Sequence, residues 1–215
     1  TFGDLMEAVR SNFAVRPEIL ALIKSRVPKF GSGDPEAVAL ANRITGFAHD
    51  CFGKRKNYRG GRYTAGFWSM SNHVAFGTLT GALPSGRPAG KPFTPGLTPE
   101  PDASRSLLDN IRDVSRLEAA HMNNNIAFNV KVVPGARETH ADTVEHVFQY
   151  ARTYNELGGM QMQLNVVSSA TLRDAMAHPE NYQDLLVRIS GYNAYFVTLN
   201  RDMQMELIER AEFGI

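Results

Sequence analysis

The sequence predicts an α/β fold in which parallel strands are covered by helices, and two observations carry that prediction. From Ser104 onward, segments of helical period alternate with strand-like segments, at lengths that suit strand–helix–strand crossovers. The composition, 43% hydrophobic and 21% charged over 215 residues, is that of a globular chain able to bury a sizeable core, most simply as one domain.

The elements follow in order. Thr1 can cap a first helix with Asp4 in its opening turn, placing Phe2, Leu5, Met6, Val9 and Phe13 on one core-packing face. Pro17 opens a short second helix bearing Leu20, Ile23 and Val27, closed by Pro28-Lys29-Phe30-Gly31. Asp34-Pro35-Glu36 starts a third, running to about Cys51 or Phe52: an N-cap carboxylate, proline at the first helical position, and an acid at the positive end of the helix. Between Gly60 and Gly81 the aromatic and β-branched residues Tyr63, Phe67, Trp68, Val74 and Phe76 predict a strand and its connections. The run from Leu83 to Pro101 is too rich in proline and glycine for a regular element and reads as a long surface or site-lining loop. Ser104 is the expected cap of a helix carrying Leu107, Leu108, Ile111, Val114 and Leu117, followed by a strand from Ile126 to Val133. Thr139 begins a helix with Val144, Val147, Phe148 and Ala151 on its apolar side, stopped by Gly158-Gly159. Met160 to Val167 alternates as a strand with Met160 and Met162 on its core face, and Ser169 caps a helix through Met176. Leu185 to Ile189 is strand again, and Asn200 caps the last helix, with Met203, Leu207 and Ile208.

Charge and motif usage exclude several functions. A formal charge of +1 with interspersed acids and bases leaves no basic face for nucleic acid and no polybasic membrane anchor. No apolar stretch approaches the roughly 18 residues needed to span a bilayer, and no signal segment opens the chain, so a cytoplasmic protein is expected. A start at Thr1 within a helical pattern raises the expectation of a processed or divided polypeptide. Cys51 is the single cysteine, which excludes an internal disulfide, and on a helix it reads as a small buried hydrophobe. The six histidines form no HExxH or other metal pattern, so no metal site is expected. His73, in Trp68-Ser69-Met70-Ser71-Asn72-His73, is a candidate lining residue for a substrate cavity, although a core hydrogen-bonding role is the simpler reading. Glu118, Glu138 and Glu145 read as solvated helix-face acids. Gly90-Lys91 lacks the spacing and following hydroxyl of a phosphate loop.

Near the C-terminus, Arg188-Ile189-Ser190-Gly191-Tyr192 breaks a strand-like run at one glycine, a residue able to turn with φ > 0. Before it, in order, stand Gly158-Gly159-Met160-Gln161-Met162-Gln163-Leu164-Asn165-Val166-Val167, Thr171-Leu172-Arg173-Asp174-Ala175 and His178-Pro179-Glu180-Asn181-Tyr182. This series resembles the C-terminal glycyl-radical region of the pyruvate formate-lyase-like enzymes. The segments Val27–Glu36 (VPKFGSGDPE) and Ala82–Phe93 (ALPSGRPAGKPF) resemble further parts of that family. The resemblance implies that Gly191 carries a backbone carbon radical. It would be installed by an activating enzyme that uses S-adenosylmethionine and an iron–sulfur cluster, with Arg188, Ser190 and Tyr192 supporting the loop. It also implies a portion of an α/β barrel: residues 1–157 a helical and barrel portion and residues 158–215 the glycyl-radical region, together one continuous structural unit, with the Gly191 loop projecting inward.

The family uses a thiyl cysteine to take hydrogen from substrate, and Cys51, in Ala48-His49-Asp50-Cys51-Phe52-Gly53, lacks the expected setting and lies too near Gly191 in sequence. The resemblance therefore implies a radical-bearing component, oligomeric, completed by a larger cysteine-bearing chain or a missing N-terminal part, acting on a small organic substrate. Tyr192-Asn193-Ala194-Tyr195-Phe196-Val197 is closer to the dehydratase, amine-lyase, decarboxylase and hydrocarbon-adding branches than to formate acetyltransferases. The alternatives are a spare-part module without turnover of its own, a component of a formate acetyltransferase or hydrocarbon–fumarate adding enzyme, and an unrelated α/β interaction domain.

Overall fold

Three helices lead the chain. The computed structural model describes residues 1–214. Helix α1 (Phe2–Arg10) opens on a reciprocal capping box between Thr1 and Asp4, α2 (Pro17–Arg26) opens on Pro17, and α3 (Pro35–Gly53) is capped by the Asp34 carboxylate. Ala8, Phe13 and Ile23 form a small core between α1 and α2. Phe13 reaches it from beyond α1, with φ of 63°, whereas Phe2 is exposed.

The expected strand between Gly60 and Gly81 is instead an extended segment followed by helix α4 (Asn72–Leu79). Only isolated bridges, Lys56 to Arg62 and Phe67 to Ile126, give it sheet character. Close packing against the loop explains the helix: a Cβ at Gly77 would lie 2.4 Å from the Phe93 backbone nitrogen. The buried Arg87 guanidinium ties the two together through the carbonyls of Gly77, Gly81 and Lys91, and stacks on Phe93. The run from Leu83 to Pro101 has no regular element, as expected.

Helix α5 (Leu107–Ser115) presents Leu107, Ile111 and Val114 to the main core. Its N-cap position is Ser106 rather than Ser104, whose hydroxyl accepts from the Ser106 N–H and donates to Asp109. From the same helix, buried Asp113 accepts the N–H groups of Gly31 and Gly33, and Asn110 donates to the Gly31 carbonyl. These bonds fix the turn that leads into α3.

The sheet is parallel, in the order β2 (Met162–Val166), β1 (Phe128–Val133), β5 (Glu212–Gly214). Phe128 pairs with Met162 and Val132 with Phe213. Helix α6 (His140–Glu156), capped by Thr139 and Asp142, makes the crossover from β1 to β2. Val147 packs on the core with Tyr154, while Val144 and Phe148, expected there, are exposed. Met160 is also exposed and lies outside the strand.

Helix α7 (Ser169–Ala177) is capped by Ser168, one residue before the expected Ser169. A hairpin follows: β3 (Leu186–Arg188) pairs antiparallel with β4 (Asn193–Tyr195), the exception to the parallel rule. Helix α8 (Arg201–Glu209), capped by Asn200, leads to β5, which is too short to show in sequence. Leu172, Ala175, Val187, Phe196, Leu207 and Ile208 join α7, the hairpin and α8 in a second core.

Lys131 of β1 is buried on the side of the sheet facing α8. Its ammonium donates to Ser169 Oγ at 2.8 Å and to the carbonyls of Leu207 and Ile208 at 3.2 and 2.9 Å, fastening the end of α8. Burial lowers its pKa from 10.5 to about 8. The unfolded chain therefore holds this proton over an interval in which the folded chain has released it, so this group adds stability as the pH rises from about 8 to about 10. Denaturant unfolding should show the stability difference between the wild type and Lys131→Met moving in favour of the wild type across that interval. A difference independent of pH would remove Lys131 as its source.

Candidate active site

The turn Arg188-Ile189-Ser190-Gly191-Tyr192 joins β3 to β4. Gly191 has φ of 82°, a conformation that a side chain opposes. A Cβ there would also sit 3.1 Å from Trp68 Cζ2, tighter than ordinary contact. Gly191 is exposed in this chain, while Ile189 and Ser190 on its N-terminal side are fully buried.

The turn satisfies little of its own backbone: one bond, Ile189 N–H to the Tyr192 carbonyl at 3.0 Å, closes it. The Arg188 N–H and carbonyl, the Ile189 carbonyl and the Gly191 N–H are met by side chains from β2 and from the end of α8. Asn165 grips Arg188 on both sides, accepting its N–H at 2.8 Å and donating to its carbonyl at 2.7 Å. Gln163 Oε1 accepts the Gly191 N–H at 2.8 Å and Arg188 Nε at 2.8 Å. Arg210 donates to the Ile189 carbonyl at 2.9 Å. Gln163 and Asn165 are both buried, so the polar face of β2 is turned inward to serve the turn.

Arg210 is held in turn by Glu206, one helical turn earlier, through two bonds of 2.8 Å in a pair only 6% exposed at each residue. Burial pushes the Glu206 carboxyl up, but the Arg210 charge and hydrogen bonds outweigh it and hold the group below the ordinary glutamate range. Its contribution to stability is therefore present above that range and is lost as the pH falls through the depressed value.

His73, at the start of α4, is buried with Nδ1 at 3.1 Å from Ser69 Oγ. Its Nε2 lies 3.7 Å from Glu206 Oε2, beyond hydrogen-bond reach. It stands behind the Arg210 pair, and it does not line the cavity of about 510 Å³ that lies among α2, α3 and the loop segments 85–88 and 94–100. Tyr192 packs against Val74, Ile189 and Met203, and the Arg188 side chain also reaches Asn193 Oδ1 at 3.2 Å. Ser190 Oγ is buried without a hydrogen-bond partner. Cys51 is exposed on α3 rather than buried, beside Phe47, Asp50, Lys54 and Arg55, because its side of that helix has no covering element. Among the described residues, no group of three or more His, Cys, Asp or Glu side chains is placed to hold a metal ion, and no helix is long and apolar enough to cross a membrane.

Sequence reasoning missed Gln163, Asn165, Glu206, Arg210 and Trp68. A usable signal was present for two of them. In Met162-Gln163-Leu164-Asn165 two amides alternate with apolar residues, so a strand here carries both amides on one face, where they can serve a common site.

Residues 93–197 match the glycine radical family, and residues 1–77 match the pyruvate formate lyase-like family. Trans-4-hydroxy-L-proline dehydratase from Clostridioides difficile is 28% identical over 212 residues, covering 97% of this chain and 26% of its own length. Isethionate sulfite-lyase from Bilophila wadsworthia is 32% identical over 218 residues, 98% of this chain and 25% of its own length. The glycerol-bound B12-independent glycerol dehydratase from Clostridium butyricum superposes with a TM-score of 0.91 at 32% identity, covering 99% of this chain and 27% of that one. The chain spans about a quarter of the length of the curated relatives it matches.

Removing Arg210 takes away the cation hydrogen-bonded to the buried Glu206 carboxylate and leaves only the His73 ring near it, at 3.7 Å, so Arg210→Met should cost about 3–5 kcal/mol. Ser190→Ala removes an unsatisfied hydroxyl and should be neutral or stabilising by about 1 kcal/mol. Trp68, the sole tryptophan, sits against Gly191, and its fluorescence during unfolding reads both changes. Equal losses in the two variants would contradict this division of roles.

Proposed function

The chain belongs to the pyruvate formate-lyase-like glycyl radical enzymes, on its dehydratase and lyase side, and from that premise we propose that Gly191 is its radical-bearing residue. The observation that carries the proposal is the Gly191 turn. It is an exposed glycine at positive φ, with its neighbours' backbone groups tied to β2 and α8. A carbon radical at this Cα is flattened and stabilised by its own amide nitrogen and carbonyl. Glycine alone offers such a centre without a side chain opposing planarity.

The chemistry is a sequence of hydrogen-atom transfers. Gly191 gives up one α-hydrogen atom to an activating enzyme that uses S-adenosylmethionine and an iron–sulfur cluster. The Gly191 radical then takes a hydrogen atom from a cysteine thiol, restoring the Cα–H bond and leaving a thiyl. The thiyl takes a hydrogen atom from a small organic substrate, whose radical loses a leaving group, and the hydrogen is returned in the reverse order. Cys51 does not serve as that thiol, since it lies on the uncovered side of α3. The thiol belongs to a larger cysteine-bearing portion that seats over the exposed Gly191 face, and the chain's coverage of only a quarter of its relatives supports this reading. The proposed setting is the cytoplasm, in an oligomeric enzyme.

After anaerobic activation, electron paramagnetic resonance should show a glycyl signal in the wild type. Gly191→Ala should abolish it, and Cys51→Ser should leave it intact. A signal that persists in Gly191→Ala would place the radical elsewhere.

A further inference from the structure

We propose that Gln163 is a positioning residue for the radical centre: its side-chain carbonyl orients the Gly191 amide and strengthens that nitrogen as an electron donor to the radical carbon. The inference rests on the assignment of the radical to Gly191. Of the side chains that hold the turn, Asn165 and Arg210 reach only the backbone of Arg188 and Ile189. Gln163 is the one whose acceptor meets the glycine itself, across 28 residues of sequence.

Its setting suits the task. Gln163 is 6% exposed and lies on β2, in parallel register with Asn129 of the central strand, so the acceptor stands on a rigid element. Oε1 receives two donors, Gly191 N–H and Arg188 Nε, both at 2.8 Å. Two donors use both lone pairs of the carbonyl and fix its direction. The bond to Gly191 therefore sets the plane of the amide on one side of the radical carbon. Overlap between the nitrogen lone pair and the half-filled orbital depends on that plane. An acceptor on the N–H also raises electron density at nitrogen, which moves spin from carbon onto nitrogen. A merely structural contact would hold the turn without altering this distribution.

Two variants separate the possibilities. Gln163→Glu keeps an acceptor at the same reach, and Gln163→Met keeps the volume and loses it. In the protein purified anaerobically with the assembly it belongs to, amide hydrogen exchange at Gly191 is measured before activation. Exchange should accelerate at least tenfold in Gln163→Met and stay near the wild-type rate in Gln163→Glu. After activation of protein labelled with 15N-glycine, Gln163→Met should lower the 15N hyperfine coupling of the radical and reduce radical yield several-fold, and Gln163→Glu should restore both. Unchanged exchange in Gln163→Met overturns the hydrogen bond itself. Altered exchange with unchanged coupling and yield overturns the electronic role. A wild type that forms no glycyl radical, while exchange behaves as stated, means that the Gly191 assignment fails and the electronic role falls with it.

Discussion

A turn of five residues cannot satisfy its own backbone, and most of the C-terminal part of this chain is arranged to do that for Arg188 through Gly191. Two buried amides on β2 and one buried guanidinium after α8 supply the missing partners. Each is itself fixed. Gln163 and Asn165 stand on a strand paired along its length with β1, and Arg210 is locked to Glu206 within α8. Lys131 fastens the end of that helix to the sheet, so the geometry at Gly191 is transmitted from the parallel ladder through α8. A buried polar network of this kind rigidifies only when its members find partners, and these do.

The same arrangement divides the turn into a held side and an open side. Ile189 and Ser190 face the interior, whereas Gly191 is exposed with Trp68 against it. Further apolar surface is uncovered along α3, where Leu40, Ile44 and Phe47 are all exposed. Contiguous apolar surface on a folded chain marks a face that another surface covers. This fits a chain that spans about a quarter of its relatives, and it fits the proposal that Gly191 meets a thiol on a larger portion.

Much of this was legible in the sequence because it rests on local signals. The caps at Thr1, Asp34, Thr139 and Asn200 open the helices they announced, since a side-chain acceptor near free N–H groups needs no tertiary context. The crossover from β1 to β2 and the break at Gly191 were readable for similar reasons. The region from Gly60 to Gly81 reads as a strand because its aromatic residues favour one, whereas helix α4 packs Gly77 closely against residues 91–93 of the loop that follows it, a contact no local pattern announces. Cys51 reads as buried because a cysteine on a helix is commonly a small core hydrophobe, and only the fold shows that its side of α3 is uncovered. The side chains that hold the turn were missed because their role exists only when β2, the hairpin and α8 meet. Glu206 and Arg210 look like any helical ion pair until their burial is known.

The central claim is that the radical resides at Gly191, and exposure of the activated protein to air tests it most directly. Oxygen adds to a carbon-centred backbone radical and breaks the chain at that residue. Intact mass measurement should then find a fragment lacking the residues after Gly191, in activated samples alone. A chain that stays whole, or that breaks at another residue, would contradict the account.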